Sequence, residues 1–435
     1  MDLMNGTKVR HGKNVTVLSV VSALWKVLPI GDASSQIVFK GGAMKNVENK
    51  TDRLMSLDAL RGADMLFIMG FSGALIAFCQ LLGFGKDCWL ATQMTHVIWH
   101  GFRHHDTIFP LFLFLAGVAW PFSYASQVAK GRTAGQILRK LLLRVTVLIA
   151  LGQFGTALFS FQFERLRYDS VLAHIGICWG VSAMLFMFVK NFYARLIIAL
   201  LLLLGHWLIL VSFTAPDAAA LLASADPKVA KHVAMYAAYG TDCFSFTGNI
   251  AGWIDRTIMP GRLHEVNIFD PDGLLGKMTG VVTAMFGVFS GELLRKGNIS
   301  GNRKTLILLV AGAVSLALCF AWQPWCPVNK KIWTSTFILA AGAYSFFSLA
   351  LFYWIVDVKK WRSWTLFFRV IGMNSITIYI MMRFVGFNRM SQFFFSGIAG
   401  LGNAHWSAFA ILVGQIAIEW IVLYYLYRNK TFLKV

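Results

Sequence analysis

Four histidines and one aspartate lie within eleven consecutive positions of this chain, which has ten histidines in all. They are His96, His100, His104, His105 and Asp106. An imidazole can act as a general base or a nucleophile near neutral pH, and a nearby carboxylate can orient its ring. Two other interpretations stay open at this point. His96 and His100 are four residues apart, as in some metal sites, and histidines also occur simply at membrane interfaces.

A second group of ionisable residues stands at the start of an apolar run. Asp58, Arg61 and Asp64 are three residues apart, so a helix stacks them along one face. An ionisable group inside a membrane costs about 2.5–3.5 kcal/mol, and three together therefore need mutual pairing or a ligand. A buried ion-pair network explains the pattern, and so does an Arg61 that binds an anionic ligand entering from the cytoplasm.

A third group lies in the long polar segment 215–272. It contains Asn249, Asp255, Arg256 and Asp270, with turn-forming residues around them. Such a segment can form the rim of a site for a polar, sugar-like substrate, or it can merely cap a helix bundle.

The fourth group is the Asn374-Ser375 pair, which falls inside an apolar run. Amide and hydroxyl groups within a membrane need hydrogen-bond partners and usually face the interior of a bundle. The pair either joins helices to one another or contributes to a site between them.

The composition predicts the elements that must position these residues. The chain is 57% hydrophobic and 14% charged, whereas soluble domains carry about 25% charged residues. Runs of roughly 20 apolar residues alternate with short basic segments, which is typical of membrane helices. We predict an all-α polytopic membrane helix bundle of ten transmembrane helices. They are placed at about 59–82, 106–126, 138–160, 169–190, 195–214, 273–294, 305–322, 332–356, 364–384 and 406–427.

The distribution of Lys and Arg predicts the orientation of the bundle. The short connections on one side carry more of them than those on the other, so both termini are predicted to be cytoplasmic. Residues 1–52 then form a cytoplasmic extension, and residues 53–435 form the transmembrane domain. The segments 83–105 and 215–272 fall on the outer side.

The net charge of +20 does not indicate a nucleic-acid partner. The basic residues are dispersed in small groups beside apolar runs, as expected of residues that face anionic lipid headgroups. The six cysteines show no spacing typical of a metal site. Of these, Cys88, Cys243 and Cys326 fall near the predicted outer face, with free thiols as the default expectation.

Together these motifs resemble the heparan-alpha-glucosaminide N-acetyltransferase family of transmembrane acyltransferases, in its bacterial branch. The resemblance runs from about Arg53 to the C-terminus. It rests on Ser56-Leu-Asp58-Ala-Leu-Arg61-Gly62, His96 with Trp99, Gly101, Asp106 and Phe109-Pro110, Gly248-Asn249, Asp255-Arg256, Asp270-Pro271-Asp272-Gly273-Leu-Leu-Gly276, Pro327-Val328-Asn329-Lys330 and Gly372-Met373-Asn374-Ser375-Ile376.

The resemblance implies an enzyme that takes acetyl-CoA from the cytoplasm and transfers its acetyl group to the amine of an amino sugar on the other side. The acceptor would be a terminal glucosamine of a heparan fragment, another glycan or a cell-envelope amino sugar. The branch resembled implies a bacterial inner membrane with the acceptor site facing the periplasm. A homodimer would suit the many apolar faces.

The resemblance also assigns residues. His96 matches the catalytic histidine of the family, whereas Ser72 stands where the family has a functional asparagine. The other clustered histidines do not match family histidines, so no metal is expected. We predict His96 and Asp106 as catalytic residues and Arg61, Asp58, Ser72 and Asn374 as acetyl-CoA-binding residues. For the acceptor we predict Trp99, His100, Asn249, Asp255, Arg256 and Asp270.

Two steps of the mechanism stay open in the sequence. Asp106 and Asn374 are both candidates to orient the reacting groups, and His96 either deprotonates the acceptor amine directly or carries the acetyl group as acetyl-histidine.

The alternative function is a proton-coupled secondary transporter of a small polar or sugar substrate, which would use Asp58, Asp64 and the histidines. Transporters often have paired halves, and we find no matching motif in the two halves of this chain. A non-catalytic membrane partner would leave the histidine cluster unexplained.

Overall fold

The apolar runs fold into helices at the places where the sequence predicts them. A computed structural model describes residues 54–153 and 166–433, all of which belong to one compact unit, residues 52–435. In these ranges the regular elements are helices, with three isolated bridges between extended residues. The all-α fold class is therefore confirmed. The predicted cytoplasmic extension, residues 1–52, lies outside the described residues.

The helices are numbered in chain order. They are α1 Met55–Leu81, α2 Trp89–Gln93, α3 His104–Ala129, α4 Ala134–Gln153, α5 Val171–Phe188, α6 Phe192–Ser212, α7 Ala218–Leu222, α8 Pro227–Tyr236, α9 Ile250–Ile258, α10 Gly276–Arg295, α11 Gly301–Trp322, α12 Ser335–Val358, α13 Thr365–Met373, α14 Ser375–Phe384, α15 Phe387–Ala399 and α16 Ala404–Arg428.

Seven of the described helices are long and apolar enough to cross a membrane, which makes this an integral membrane protein. They are α1, α3, α5, α6, α11, α12 and α16. The consecutive helices α13 and α14 meet at an angle of 67° and would count as an eighth span if they act as one. Helices α4 and α10 occupy the remaining two predicted spans but do not meet the same criterion. The count of ten and the orientation of the termini stay predictions.

Glycines allow two helix pairs to approach one another closely. A Cβ atom at Gly62 in α1 would lie 1.8 Å from the carbonyl oxygen of Phe368, and one at Gly372 in α13 would lie 1.9 Å from that of Asp58. No larger residue fits at either position, so small residues bring these two backbones together. The contact places Arg61 and Asn374, which neighbour these glycines in sequence, beside the same seam.

Helices α3 and α10 are joined in the same way. A Cβ atom at Gly117 would lie 2.1 Å from the oxygen of Ala284, and one at Gly287 would lie 2.0 Å from that of Phe114. This close contact fixes α3 in the interior of the bundle. Because Asp106 lies in the first turn of α3, the contact also determines where that carboxylate stands.

The segment between α6 and α10 builds an aromatic cluster on the loop that precedes α3. The indole of Trp99 is wholly buried and contacts the rings of Tyr236, Phe246 and Phe269 at centroid distances of 5.3–5.7 Å. Its Nε1 donates a hydrogen bond to the Phe244 carbonyl oxygen at 2.8 Å. The predicted outer segment 215–272 therefore anchors the loop that carries His96.

Candidate active site

The carboxylate of Asp106 is fixed at the start of α3. The residue is wholly buried, and its Oδ2 accepts hydrogen bonds from the backbone N–H groups of Arg103 at 3.2 Å and Val97 at 3.5 Å. Arg103 is the residue that caps the helix, so the acid satisfies an amide that the helix itself leaves free. These contacts leave Oδ1 directed at the loop that contains His96.

His96 contacts this second oxygen. Its Nδ1 lies 2.7 Å from Asp106 Oδ1, and its side chain is 53% exposed. An ionised carboxylate can only accept hydrogen bonds, so we assign the imidazole proton to Nδ1. The Nε2 atom then has a free lone pair, which is what a general base or a nucleophile needs. The predicted pairing of His96 with Asp106 is present.

Two other side chains, Lys330 and His105, lie next to the pair. The Nζ atom of Lys330 lies 3.2 Å from His96 Nδ1 and 3.5 Å from Asp106 Oδ1. The ring of His105 lies 4.5 Å from that of His96, centroid to centroid. Its Nδ1 lies 3.1 Å from the hydroxyl of Ser72. The predicted role of Ser72 in binding acetyl-CoA is therefore not reflected in its contacts, because this buried serine supports His105 instead.

A cavity of about 1050 Å³ connects this group to the other end of the bundle. Such a volume is at the upper end of the range of about 300–1,000 Å³ that is usual for small-molecule sites. Along α3 it extends from His105 to Ser123, which is about 27 Å at 1.5 Å per helical residue. That length is close to the roughly 30 Å thickness of a membrane core. Its middle is lined mainly by apolar side chains, including Phe109, Phe112, Ala116, Trp120, Leu148 and Ile175.

Polar residues line the far end of the cavity. Arg61 lies there with its Nη1 3.6 Å from Oδ1 of the buried Asp58. Arg144 of α4 lines the same region, with its guanidinium 5.0 Å from the centre of the Trp179 ring. The predicted cation Arg61 is thus accompanied by a second one that the sequence analysis did not single out.

Asn374 lies at the bend between α13 and α14 and lines the cavity as well. Its Nδ2 donates a long hydrogen bond of 3.4 Å to the Val370 carbonyl oxygen, whereas its buried Oδ1 has no partner. No group in the described part of the chain donates to this oxygen, so it can accept a hydrogen bond from a ligand in the cavity. The role of Asn374 in binding acetyl-CoA stays a prediction.

The His96 end of the cavity has a polar rim. The ammonium of Lys331 donates hydrogen bonds of 2.5 Å to both Tyr236 Oη and Glu265 Oε1, and the Tyr236 hydroxyl donates one of 2.8 Å to Glu265 Oε2. Burial raises the pKa of Tyr236, so the phenol stays protonated. Arg167 completes the rim with contacts to Asp272 at 2.8 Å and to Asp270.

None of the six predicted acceptor residues is among those that line this cavity. Trp99 belongs to the aromatic cluster described above. Asn249 is wholly buried and caps α9 by accepting a hydrogen bond from the Gly252 N–H at 2.7 Å. The Nδ1 of His100 lies 3.3 Å from Asn329 Nδ2, and burial lowers the pKa of this histidine.

The three charged residues among the six are bonded to side chains or backbone groups of the protein. Arg256 makes a two-pronged ion pair with Asp217. Asp270 receives the guanidinium of Arg167 through a 2.8 Å hydrogen bond. Asp255 accepts a hydrogen bond from the Leu274 N–H at 2.9 Å, and burial raises its pKa to about 7. The structure thus places these residues in the scaffold behind the rim, because each one is bonded to another group of the protein.

The potential metal ligands within residues 54–153 and 166–433 do not cluster. No group of three or more His, Cys, Asp or Glu side chains in these ranges is arranged to hold an ion. The donors His96 and His100, which suggested such a site, contact different partners, Asp106 and Asn329.

Comparison with known proteins identifies relatives. The chain is 26% identical over 424 residues to the heparan-alpha-glucosaminide N-acetyltransferase of Homo sapiens. It is 26% identical over 432 residues to the enzyme of the same name from Mus musculus. These alignments cover 88% and 89% of this chain. The chain is thus similar to these heparan-alpha-glucosaminide N-acetyltransferases over most of its own length.

The chain spans about 60% of the length of these curated relatives. No family model matches the chain. The similarity agrees with the resemblance that the sequence motifs indicated. The names of both relatives describe an N-acetyltransferase that acts on a glucosaminide.

Proposed function

We propose that this chain is a transmembrane N-acetyltransferase that moves an acetyl group from cytoplasmic acetyl-CoA to the amine of an amino sugar on the outer side. The observation that carries the proposal is the single cavity that joins the His96–Asp106 pair to Arg61 and Arg144 at its far end. A donor and an acceptor in different compartments require such a path. The names of the relatives supply the reaction class.

The donor would lie along the cavity. Its phosphates would face Arg61 and Arg144, because guanidinium groups bind phosphate through charge-assisted hydrogen bonds. The pantetheine arm would follow the apolar middle section, and Asn374 offers an amide to its polar groups. The thioester would then stand near His96.

The reaction moves one proton from the acceptor amine to the departing thiolate, in two transfers through His96. Nε2 of His96 would take a proton from the neutral acceptor amine as the nitrogen attacks the thioester carbonyl. A C–N bond forms, the C–S bond breaks, and the imidazolium returns the proton to the departing thiolate. Asp106 would stabilise the imidazolium through the 2.7 Å hydrogen bond. The second route, in which Nε2 attacks first and forms acetyl-histidine, uses the same geometry.

The location follows from the same assignment. Both termini would be cytoplasmic, and the rim formed by Lys331, Glu265 and Tyr236 would face the periplasm of a bacterial inner membrane. A glucosamine-type acceptor carries hydroxyl groups that such a rim of paired charges and a phenol can bind.

Transfer of radiolabelled acetyl from acetyl-CoA to glucosamine by the purified full-length protein tests the proposal. Wild type should transfer the label, and His96→Ala should lose transfer while still binding acetyl-CoA. His405→Ala is the matched control, because this exposed histidine lies in the first turn of α16 and is not among the residues lining the cavity. A wild-type protein that neither binds acetyl-CoA nor acetylates an amino sugar would contradict the proposal and favour the transporter.

A further inference from the structure

Lys330 belongs to a rigid connection between α11 and α12. The preceding residue, Asn329, is wholly buried, and its Oδ1 accepts a hydrogen bond from the Ile332 N–H at 3.2 Å. The carbonyl oxygen of Val328 accepts a hydrogen bond of 2.8 Å from the N–H of Gly101. This second bond joins the connection to the loop that carries His96. The backbone of Lys330 is therefore held beside the imidazole from both sides.

The charged groups around His96 come from three elements. Asp106 and His105 face it from α3, and Lys330 faces it from the connection between α11 and α12. Arg103, on the histidine's own loop, directs its guanidinium to the His96 carbonyl oxygen at 3.0 Å. Asp106 is thus the one carboxylate and Lys330 the one ammonium for which a contact with the imidazole ring is described.

These two groups act on the imidazole in opposite directions. The carboxylate at 2.7 Å favours the imidazolium, whereas an ammonium 3.2 Å from Nδ1 disfavours a second positive charge. Burial lowers the pKa of Lys330, while the carboxylates of Asp106 and Asp272 act to raise it. The lysine and Asp106 therefore stabilise each other's charged forms.

We propose that Lys330 is a positioning residue of the acyl-transfer site, whose ammonium balances the Asp106 carboxylate so that the His96 imidazole stays neutral and its Nε2 remains a base. The inference rests on the proposed function for its meaning in catalysis. The coupling between Lys330 and His96, however, is a property of the protein alone and is measurable without substrate.

The test follows the reaction of His96 with diethyl pyrocarbonate, which modifies neutral imidazoles. The rate of modification of the His96 peptide is measured by mass spectrometry on the full-length protein from pH 5 to pH 9. In Lys330→Met the pH at which His96 reacts at half its maximal rate should rise by about one unit. This is the effect expected from removing a unit charge 3.2 Å from the imidazole in water-like surroundings. Lys330→Arg keeps the charge and should stay within a few tenths of a unit of wild type.

Lys331→Met is the matched control. It removes the neighbouring cation, which contacts Glu265 and Tyr236 instead of His96, and should leave the half-maximal pH of His96 unchanged. An unchanged half-maximal pH in Lys330→Met, or equal shifts in the Met and Arg variants, would overturn the inference.

The pH profile of acetyl transfer separates this inference from the proposed function. In Lys330→Met the acidic limb of the profile should move up with the modification curve, so activity is lost at pH 6 more than at pH 8. Failure of the wild type to transfer acetyl would defeat the proposed function and leave the modification result standing. An active wild type with no shift in Lys330→Met would defeat the Lys330 inference alone.

Discussion

Nδ1 of His96 lies 2.7 Å from Oδ1 of Asp106, although one residue is on a loop and the other is inside the first turn of α3. The carboxylate is wholly buried, whereas the imidazole is about half exposed to the cavity. This pairing fixes the tautomer of the histidine and directs its free nitrogen away from the protein backbone.

Replacement of Asp106 tests how far catalysis depends on this pairing. Asp106→Asn keeps the size of the side chain but removes the charge that stabilises the imidazolium. We expect kcat for acetyl transfer to fall on the order of 10²–10⁴-fold, with little change in acetyl-CoA binding. The two quantities are measured by initial rates and by calorimetry on the same preparation. A fall in kcat of less than about threefold would show that Asp106 does not assist His96 as a base.

The cations at the far end of the cavity predict that their removal weakens the binding of acetyl-CoA and not that of the amino sugar. Arg144→Met removes a cation that lines the cavity, and each charge-assisted hydrogen bond is worth about 1.5–3 kcal/mol. We therefore expect KM for acetyl-CoA to rise about tenfold or more, while KM for the amino sugar stays within a factor of two. Arg139→Met on the exposed face of the same helix is the control. Equal effects of the two variants would argue against a phosphate site at this end.

The sequence predicted the helices and the central pair because both signals are local. Apolar runs of membrane length define α1, α3, α5 and α6 without reference to any partner. His96 and Asp106 are ten residues apart, so only one loop has to fold for them to meet. The bend at Asn374 was not predicted, although Gly372 and the Asn374-Ser375 pair are residues that favour such breaks.

The predicted acceptor residues do not line the cavity, because composition does not distinguish a rim from its supports. Asn249 caps α9, a role that its place before an apolar helix could have indicated. The residues that do line the rim, such as Lys331 and Arg167, have partners 66 and 103 residues away. Local spacing in the sequence does not reveal partners that are this far apart along the chain. Arg144 was identifiable, since a cation within a predicted span always needs an explanation.

Stability should depend on pH through Asp255. Burial raises the pKa of this carboxyl to about 7 in the folded protein, against about 3.9 in an unfolded chain. The folded state keeps this proton up to a higher pH than the unfolded chain does. The contribution of Asp255 to the free energy of unfolding is therefore fully present below pH 4 and is lost as the pH rises to about 7. Asp255→Asn retains an oxygen for the Leu274 N–H and cannot ionise. The drop in Tm between pH 5 and pH 8 should therefore be several degrees smaller in the variant. An equal drop in both proteins would assign the dependence to other buried acids.

The close seam between α1 and α13 predicts a large effect from a single methyl group. A Cβ atom at Gly62 would lie 1.8 Å from the Phe368 carbonyl oxygen, a rigid backbone atom. Gly62→Ala must therefore separate the two helices, at a cost of about 1–3 kcal/mol. Because Arg61 and Asn374 flank this seam, donor binding should weaken together with a lowered Tm. Gly135→Ala in α4 is the control, since nothing lies within 4 Å of its added methyl group. This control should match or slightly exceed wild type in Tm. A Gly62→Ala protein with unchanged Tm and donor affinity would mean that the two backbones are not in contact.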